Sequence, residues 1–213
     1  MIKVPVANLG LFEQLDRIVV AFFRKQQSSS PYDLNVSITQ EHLDQKKQEL
    51  EPLGYQAVQL PLGMALDNII QQPYYKNLII GGLASDEIMV SKEELIPLKD
   101  IVDSFCIMYA AANNRLENSK AYEFMKDKTV FFIGKLLTDD LKNGDEISYM
   151  GIGRESADGT SYEAVKCFLT KESAEQYNDS KKPVSPANLA YLQAFWGKPV
   201  IIEPHRNYWI EFK

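Results

Sequence analysis

With 213 residues, 45% of them apolar and 24% charged, the chain has the balance of an ordinary globular protein and room for one large or two compact domains, which excludes a disordered or low-complexity chain. The net charge of −6 opposes the basic footprint of nucleic-acid binding, and Lys46–Lys47 and Lys181–Lys182 are short pairs flanked by acidic residues, so no nucleic-acid partner is expected. The first residues lack a signal peptide and the longest apolar runs fall short of the ~20 residues that span a bilayer, so the expected location is cytoplasmic with no membrane association.

In chain order, Leu11, Phe12 and Leu15 stand at helical spacing, and the β-branched and aromatic run Ile18–Phe23 reads as a buried strand. After a polar break at 26–31, Tyr32–Ile38 reads as a second strand. Thr39 then stands at the N-cap of a helix Gln40–Leu53 that stops at Gly54. Tyr55–Leu60 reads as a strand, Leu62–Ile70 as a short helix, and Asn77–Gly81 with Glu87–Val90 as a hairpin across Gly82–Asp86. Ser91 and Glu94 form a capping box that opens a helix to about Ala112, and Asn113–Asn114 marks a domain boundary.

The second half predicts a helix over Ser119–Lys128 and a strand over Thr129–Ile133. Two further strands, Glu146–Gly151 and Tyr162–Leu169, flank the turn Ser156–Thr160, and Thr170 caps a helix through Tyr177. Ser185 and Pro186 read as the N-cap and N1 of another helix running to about Phe195, and Pro199–Glu203 with Asn207–Phe212 read as a closing hairpin.

Phe12–Lys25 aligns on Tyr122–Lys135 without a gap, with identities at Glu13/Glu123, Val20/Val130, Phe22/Phe132 and Lys25/Lys135. Ser37–Glu41 then matches Phe168–Glu172, and Lys76–Ile80 matches Lys198–Ile202, in the same order. The expected fold is therefore α+β, with two tandem diverged copies of a small mixed-sheet domain and helices packed on the sheet, divided as 1–113 and 114–213.

Chemistry-bearing patterns are sparse. The two histidines, His42 and His205, stand in non-corresponding places, and no C-x-x-C, H-E-x-x-H, G-x-x-x-x-G-K-[ST] or G-x-S-x-G occurs. Cys106 and Cys167 lie among apolar neighbours and read as buried thiols. Gly151-Ile-Gly153 lacks the remainder of a dinucleotide loop and reads as a strand end or bulge, and the carboxylates of Thr138–Glu146 read as a solvated loop. No catalytic residue, cofactor or metal is expected.

The aromatic residues of the second half carry the remaining signal. Tyr149, Trp196, Tyr208 and Trp209 lie on predicted strands, or at predicted element ends, beside Arg154 and His205, and Tyr, Trp and Arg dominate binding hot spots. These six residues form the candidate contact surface for a protein partner. Pairing of two copies through open sheet edges is a further expectation. The alternatives are an enzyme with a dispersed carboxylate site and a small-ligand-binding protein.

Tyr122–Ile133, the strand–threonine–helix element Cys167–Glu175, Pro183–Leu192 and Pro199–Pro204 together resemble the N-terminal domain of the SseB family, bacterial proteins named for enhanced serine sensitivity. The first half is similar only as a degenerate copy, with Gly81-Gly82 in place of Glu203-Pro204. The resemblance implies a small α+β binding or regulatory module and brings no active-site residues.

Overall fold

A computed structural model describes residues 2–3, 5, 9–24, 30–83, 87–136 and 147–213. The acidic stretch 138–146 and the turn residues 26–29 and 84–86 lie outside these. The chain separates into two compact units, Met1–Cys106 and Ile107–Lys213. The division falls inside one continuous helix, earlier than the Asn113–Asn114 break.

The first unit runs β1 (Ile2–Lys3), β2 (Ile18–Arg24), β3 (Tyr32–Ser37), α1 (Gln40–Leu50), β4 (Tyr55–Pro61), α2 (Leu62–Gln71), β5 (Tyr75–Gly81), β6 (Ile88–Ser91), α3 (Lys92–Leu95) and the start of α4 (Lys99–Ala112). Its six described strands form a mixed sheet in the order β1-β6-β5-β3-β2-β4. Thr39 caps α1 as expected, and Gly54, at φ 83°, takes the left-handed conformation that reverses the chain into β4. On α2 the spacing Leu62, Ala65, Leu66, Ile69, Ile70 makes one apolar stripe, and all five are buried. Gly63 lets the Phe105 ring of α4 approach so closely that a Cβ there would stand 2.3 Å from it. The single helix expected after Ser91 is divided by a 3₁₀ turn at Ile96–Leu98, where Pro97 cannot continue the α ladder.

The second unit continues from α4 through α5 (Asn118–Met125), β7 (Thr129–Lys135), β8 (Ser148–Tyr149), β9 (Gly151–Glu155), β10 (Ser161–Phe168), α6 (Lys171–Gln176), β11 (Val184–Asn188), α7 (Leu189–Trp196), β12 (Val200–Ile202) and β13 (Ile210–Phe212). Its sheet path is β11-β7-β10-β12-β13, with β8 on β7 and β9 on β10. The expectation that Ser185 and Pro186 open a helix is overturned. Both lie in β11, Ser185 opposite Phe132 and Pro186 opposite Phe131. β11 is an edge strand, and the bond from Gly134 N–H to Pro183 O places Pro186 at an outward-facing position where no ladder donor is needed. The helix begins after Asn188, whose side chain accepts the Tyr191 N–H. The Ser156–Thr160 turn joins β9 to β10, so the strand before it starts later than expected.

The two units are copies. Strands β2, β3, β4, β5 and β6 correspond to β7, β10, β11, β12 and β13, and α1 and α2 to α6 and α7. In each, the first strand pairs antiparallel with the second and third, the second pairs parallel with the fourth, and the fourth pairs antiparallel with the fifth. Val36 opposite Ile80 and Cys167 opposite Ile202 reproduce the two later sequence matches. The first match is corrected by one position. Ala21 faces Val36 as Phe132 faces Cys167, so Phe132 is the counterpart of Ala21 and not of Phe22.

Candidate interaction surface

The six aromatic, arginine and histidine positions do not form one patch. Around α7, Tyr149 packs at a tilt on Trp196 with ring centroids 4.5 Å apart, Trp196 meets Phe195 edge-on at 5.0 Å, and Phe195 lies 5.9 Å from Tyr191. Tyr191 is 51% exposed and Phe195 36%, so the run opens to solvent. It has a charged border. Glu163 accepts from Tyr149 Oη at 2.5 Å and pairs with Lys198, whose ammonium lies over the Tyr149 ring. The Lys198 ammonium, with the Tyr149 hydroxyl, holds the Glu163 carboxyl below its ordinary range. Trp196 Nε1 is buried and has no hydrogen-bond partner among the described residues.

On the other side of the sheet, Arg154 faces Tyr162 across the β9–β10 ladder. Its guanidinium stands 4.8 Å over Trp209, and its Nε is 3.6 Å from Glu211, which also accepts from Tyr162 Oη at 2.8 Å. Trp209 is 39% exposed. Tyr208, placed on the contact surface from sequence, is 2% exposed and belongs to the core. Both residues lie in the turn that leads into β13, which buries Tyr208 and leaves Trp209 as the outward one.

His205 lies apart from both. Its ring stacks at 4.0 Å on Tyr177, which stacks on Phe168, with Lys166 Nζ 5.5 Å over each of those two rings. Burial, together with Lys166 and Arg206, holds the His205 imidazole below its ordinary value. Burial likewise lowers Lys166.

Sequence reasoning missed three arrangements. First, both copies close the corner after the second main strand with buried polar groups. In the second copy the Glu203 carboxylate accepts from Leu169 N–H at 2.9 Å and Ser173 Oγ at 3.0 Å. In the first copy the counterpart of Glu203 is Gly81, and the His42 ring fills the space, 2.0 Å from where a Cβ would stand. His42 Nδ1 bonds Ser37 Oγ at 2.7 Å and Nε2 bonds Glu87 at 3.0 Å, while Lys46 holds Glu87 at 2.7 Å. The Ser–His–Glu order resembles a hydrolase relay, but Ser37 is 2% exposed and the matched corner in the other copy marks the arrangement as structural. Second, Arg24 lies over Tyr32 and Tyr55 and donates to Tyr55 Oη at 2.8 Å, with Tyr74 and Tyr75 packed against Tyr32. The Tyr74-Tyr75 doublet was the only sequence signal. Third, Gln71 reaches Asp67 and Asp103 at 3.3 Å each, and burial followed by the Asp103 charge raises Asp67. Burial and these two carboxylates push the Cys106 thiol up to about 12. Cys167 is fully buried and raised as well, so both thiols sit in unreactive surroundings.

Among the described residues, no helix is long and apolar enough to cross a membrane, and no group of three histidine, cysteine or acidic side chains is placed to hold a metal. No protein-family model matches the chain, and no curated protein matches it. Among solved structures, Anabaena Tic22 (protein transport) aligns over 88% of this chain and 84% of its own at 12% identity, with a TM-score of 0.23, a likeness too loose to carry an argument.

Proposed function

We propose that this chain is a non-enzymatic binding or regulatory protein of the cytoplasm, whose partner is another protein and whose contact face is the aromatic run on α7 of the second unit. The observation that carries the reading is the run of rings from the exposed Tyr191 and Phe195 to the half-buried Trp196 and Tyr149. On its counterpart helix α2, Leu62, Ala65, Leu66, Ile69 and Ile70 are all buried, and α4 approaches it at Gly63. Large apolar rings on a helix exterior cost solvation and are typical of recognition surfaces. Glu163 and Lys198 supply a polar rim, the usual border of such a face. Membership of the SseB family is part of the same proposal, supported by the strand–threonine–helix element and the Pro199–Pro204 segment.

The test is affinity capture from native lysate with the unaltered chain and with Tyr191→Ala and Phe195→Ala. Tyr191 is the more exposed, so Tyr191→Ala should cost no more than about 0.5 kcal/mol, while Phe195→Ala, which loses the packing on Trp196, should cost about 1–2 kcal/mol and leave the chain folded. A specific protein captured by the unaltered chain and lost in both variants is the expected result. Retention of that protein by both variants would refute the assignment of this face.

A further inference from the structure

The two copies differ at one sheet edge. In the first unit the outer edge of β6 is covered by β1, which runs parallel to it with Ile2 opposite Ile88 and Lys3 opposite Met89. The ladder registers make Ile210 the counterpart of Ile88 and Glu211 that of Met89. Among the described residues, β13 pairs with β12 alone.

Backbone polarity alternates along a strand. Glu203 N–H bonds Cys167 O and Pro199 O receives Val165 N–H, both toward β10. Val200 and Ile202 therefore turn their backbone groups to β13, where Phe212 and Ile210 receive them, and Glu211 is left with its N–H and C=O directed outward. The carbonyl takes the Asn118 side-chain amide at 3.4 Å, a long contact that stands in for a strand. Beside this edge runs a groove of about 670 Å³ lined by Asn118, Ser119, Tyr122, Trp209, Glu211 and Lys213.

We propose that the outer edge of β13 is a strand-addition site for an extended segment of a partner protein, running parallel to β13 as β1 runs along β6. Residues of that segment level with Ile210 and Phe212 meet apolar side chains; the Glu211 carboxylate is already held by Tyr162 and Arg154, so the order apolar, basic, apolar is taken from β1, whose Ile2 and Lys3 occupy the equivalent positions along β6. Ile2-Lys3-Val4 has this order in the sequence. The inference rests on the binding role proposed above and adds a backbone-mediated contact to it.

The test uses the full chain and a short synthetic peptide of alternating isoleucine and lysine, read by residue-resolved amide exchange. The peptide should slow exchange of the Glu211 amide by about ten-fold or more and leave that of Met89 unchanged. Asn118→Ala, which frees the Glu211 carbonyl, should raise peptide affinity about two- to five-fold. Glu211→Pro removes the outward N–H without removing a bond to β12 and should abolish peptide binding. If that variant unfolds, a proline at the centre of the peptide serves as the control and should abolish binding equally. A peptide that fails to bind, or that binds without protecting Glu211, overturns the proposal. Concentration-dependent protection of Glu211 without peptide assigns the edge to a second copy and also overturns it. If Glu211 stays unprotected while Phe195→Ala still releases the native partner, the edge inference fails and the aromatic face stands. Protection of Glu211 with no effect of Phe195→Ala on the partner is the reverse case.

Discussion

His42 shows how one residue type can take over the structural work of another. In the second copy a glutamate grows from the strand end itself and ties down a backbone amide and a serine. In the first copy that position is Gly81, and a histidine reaches across from α1 to fill the same corner. Gly81→Ala should therefore displace the ring and destabilise the protein by about 1–3 kcal/mol. His42→Ala, which leaves Ser37 short of a partner, should cost a similar amount. Denaturant titration measures both. Burial by itself would raise Glu87, but its bonds from Lys46 and His42 outweigh burial and hold it below its ordinary 4.5. A carboxyl lowered in the folded state binds fewer protons folded than unfolded, so its stabilisation is complete above pH 4.5 and is lost as pH falls through the folded value. Glu87→Gln should flatten that acid limb of the stability–pH curve. His205 is lowered too, so stability should decline as pH drops below its ordinary 6.5, and His205→Gln should remove that decline. Asp67 has the opposite sign. Burial and Asp103 raise it, and charging it on the rise out of the acid range costs stability, so Asp67→Asn should stabilise the protein at neutral pH.

Local chemistry explains most of the elements. Thr39 and Thr170 hold corresponding N-caps, each accepting a backbone N–H three residues on. Thr170→Ala should cost about 1 kcal/mol, read from the thermal midpoint. The contact of α2 with α4 depends on a missing side chain. Phe105 is fully buried against Gly63, and Phe105→Ala should cost about 3–5 kcal/mol in a denaturant titration. Capping residues and apolar spacing were legible because their physics is local. Pro186 was not, because a serine followed by proline suits both a helix start and an outward-facing edge position. Only the pairing of Val184–Asn188 with β7 decides between them. The same holds for Tyr208 and Trp209, where the sequence shows two aromatic residues and the path of the turn before β13 decides which one is buried.

At the scale of the whole molecule, duplication organises the chain. Each copy has a complete five-strand path, and the copies diverge by what surrounds it: β1, α3 and α4 in the first unit, β8 and β9 in the second. A fragment comprising residues 1–113 retains its whole sheet, both sheet-packed helices and Phe105, and should unfold in one cooperative thermal transition followed by circular dichroism. A gradual, non-cooperative melt would show that this copy lacks an independent core.

By itself the sequence determined the α+β class, the repeat, the caps and most of the elements, β11 excepted, since each follows from composition, periodicity or interactions between residues a few positions apart. The tertiary structure alone decided which aromatic rings reach solvent, that His42 replaces a glutamate, and that Glu211 turns its backbone outward. Each of these depends on strand register or on helix packing, and both are set by contacts between residues distant in sequence.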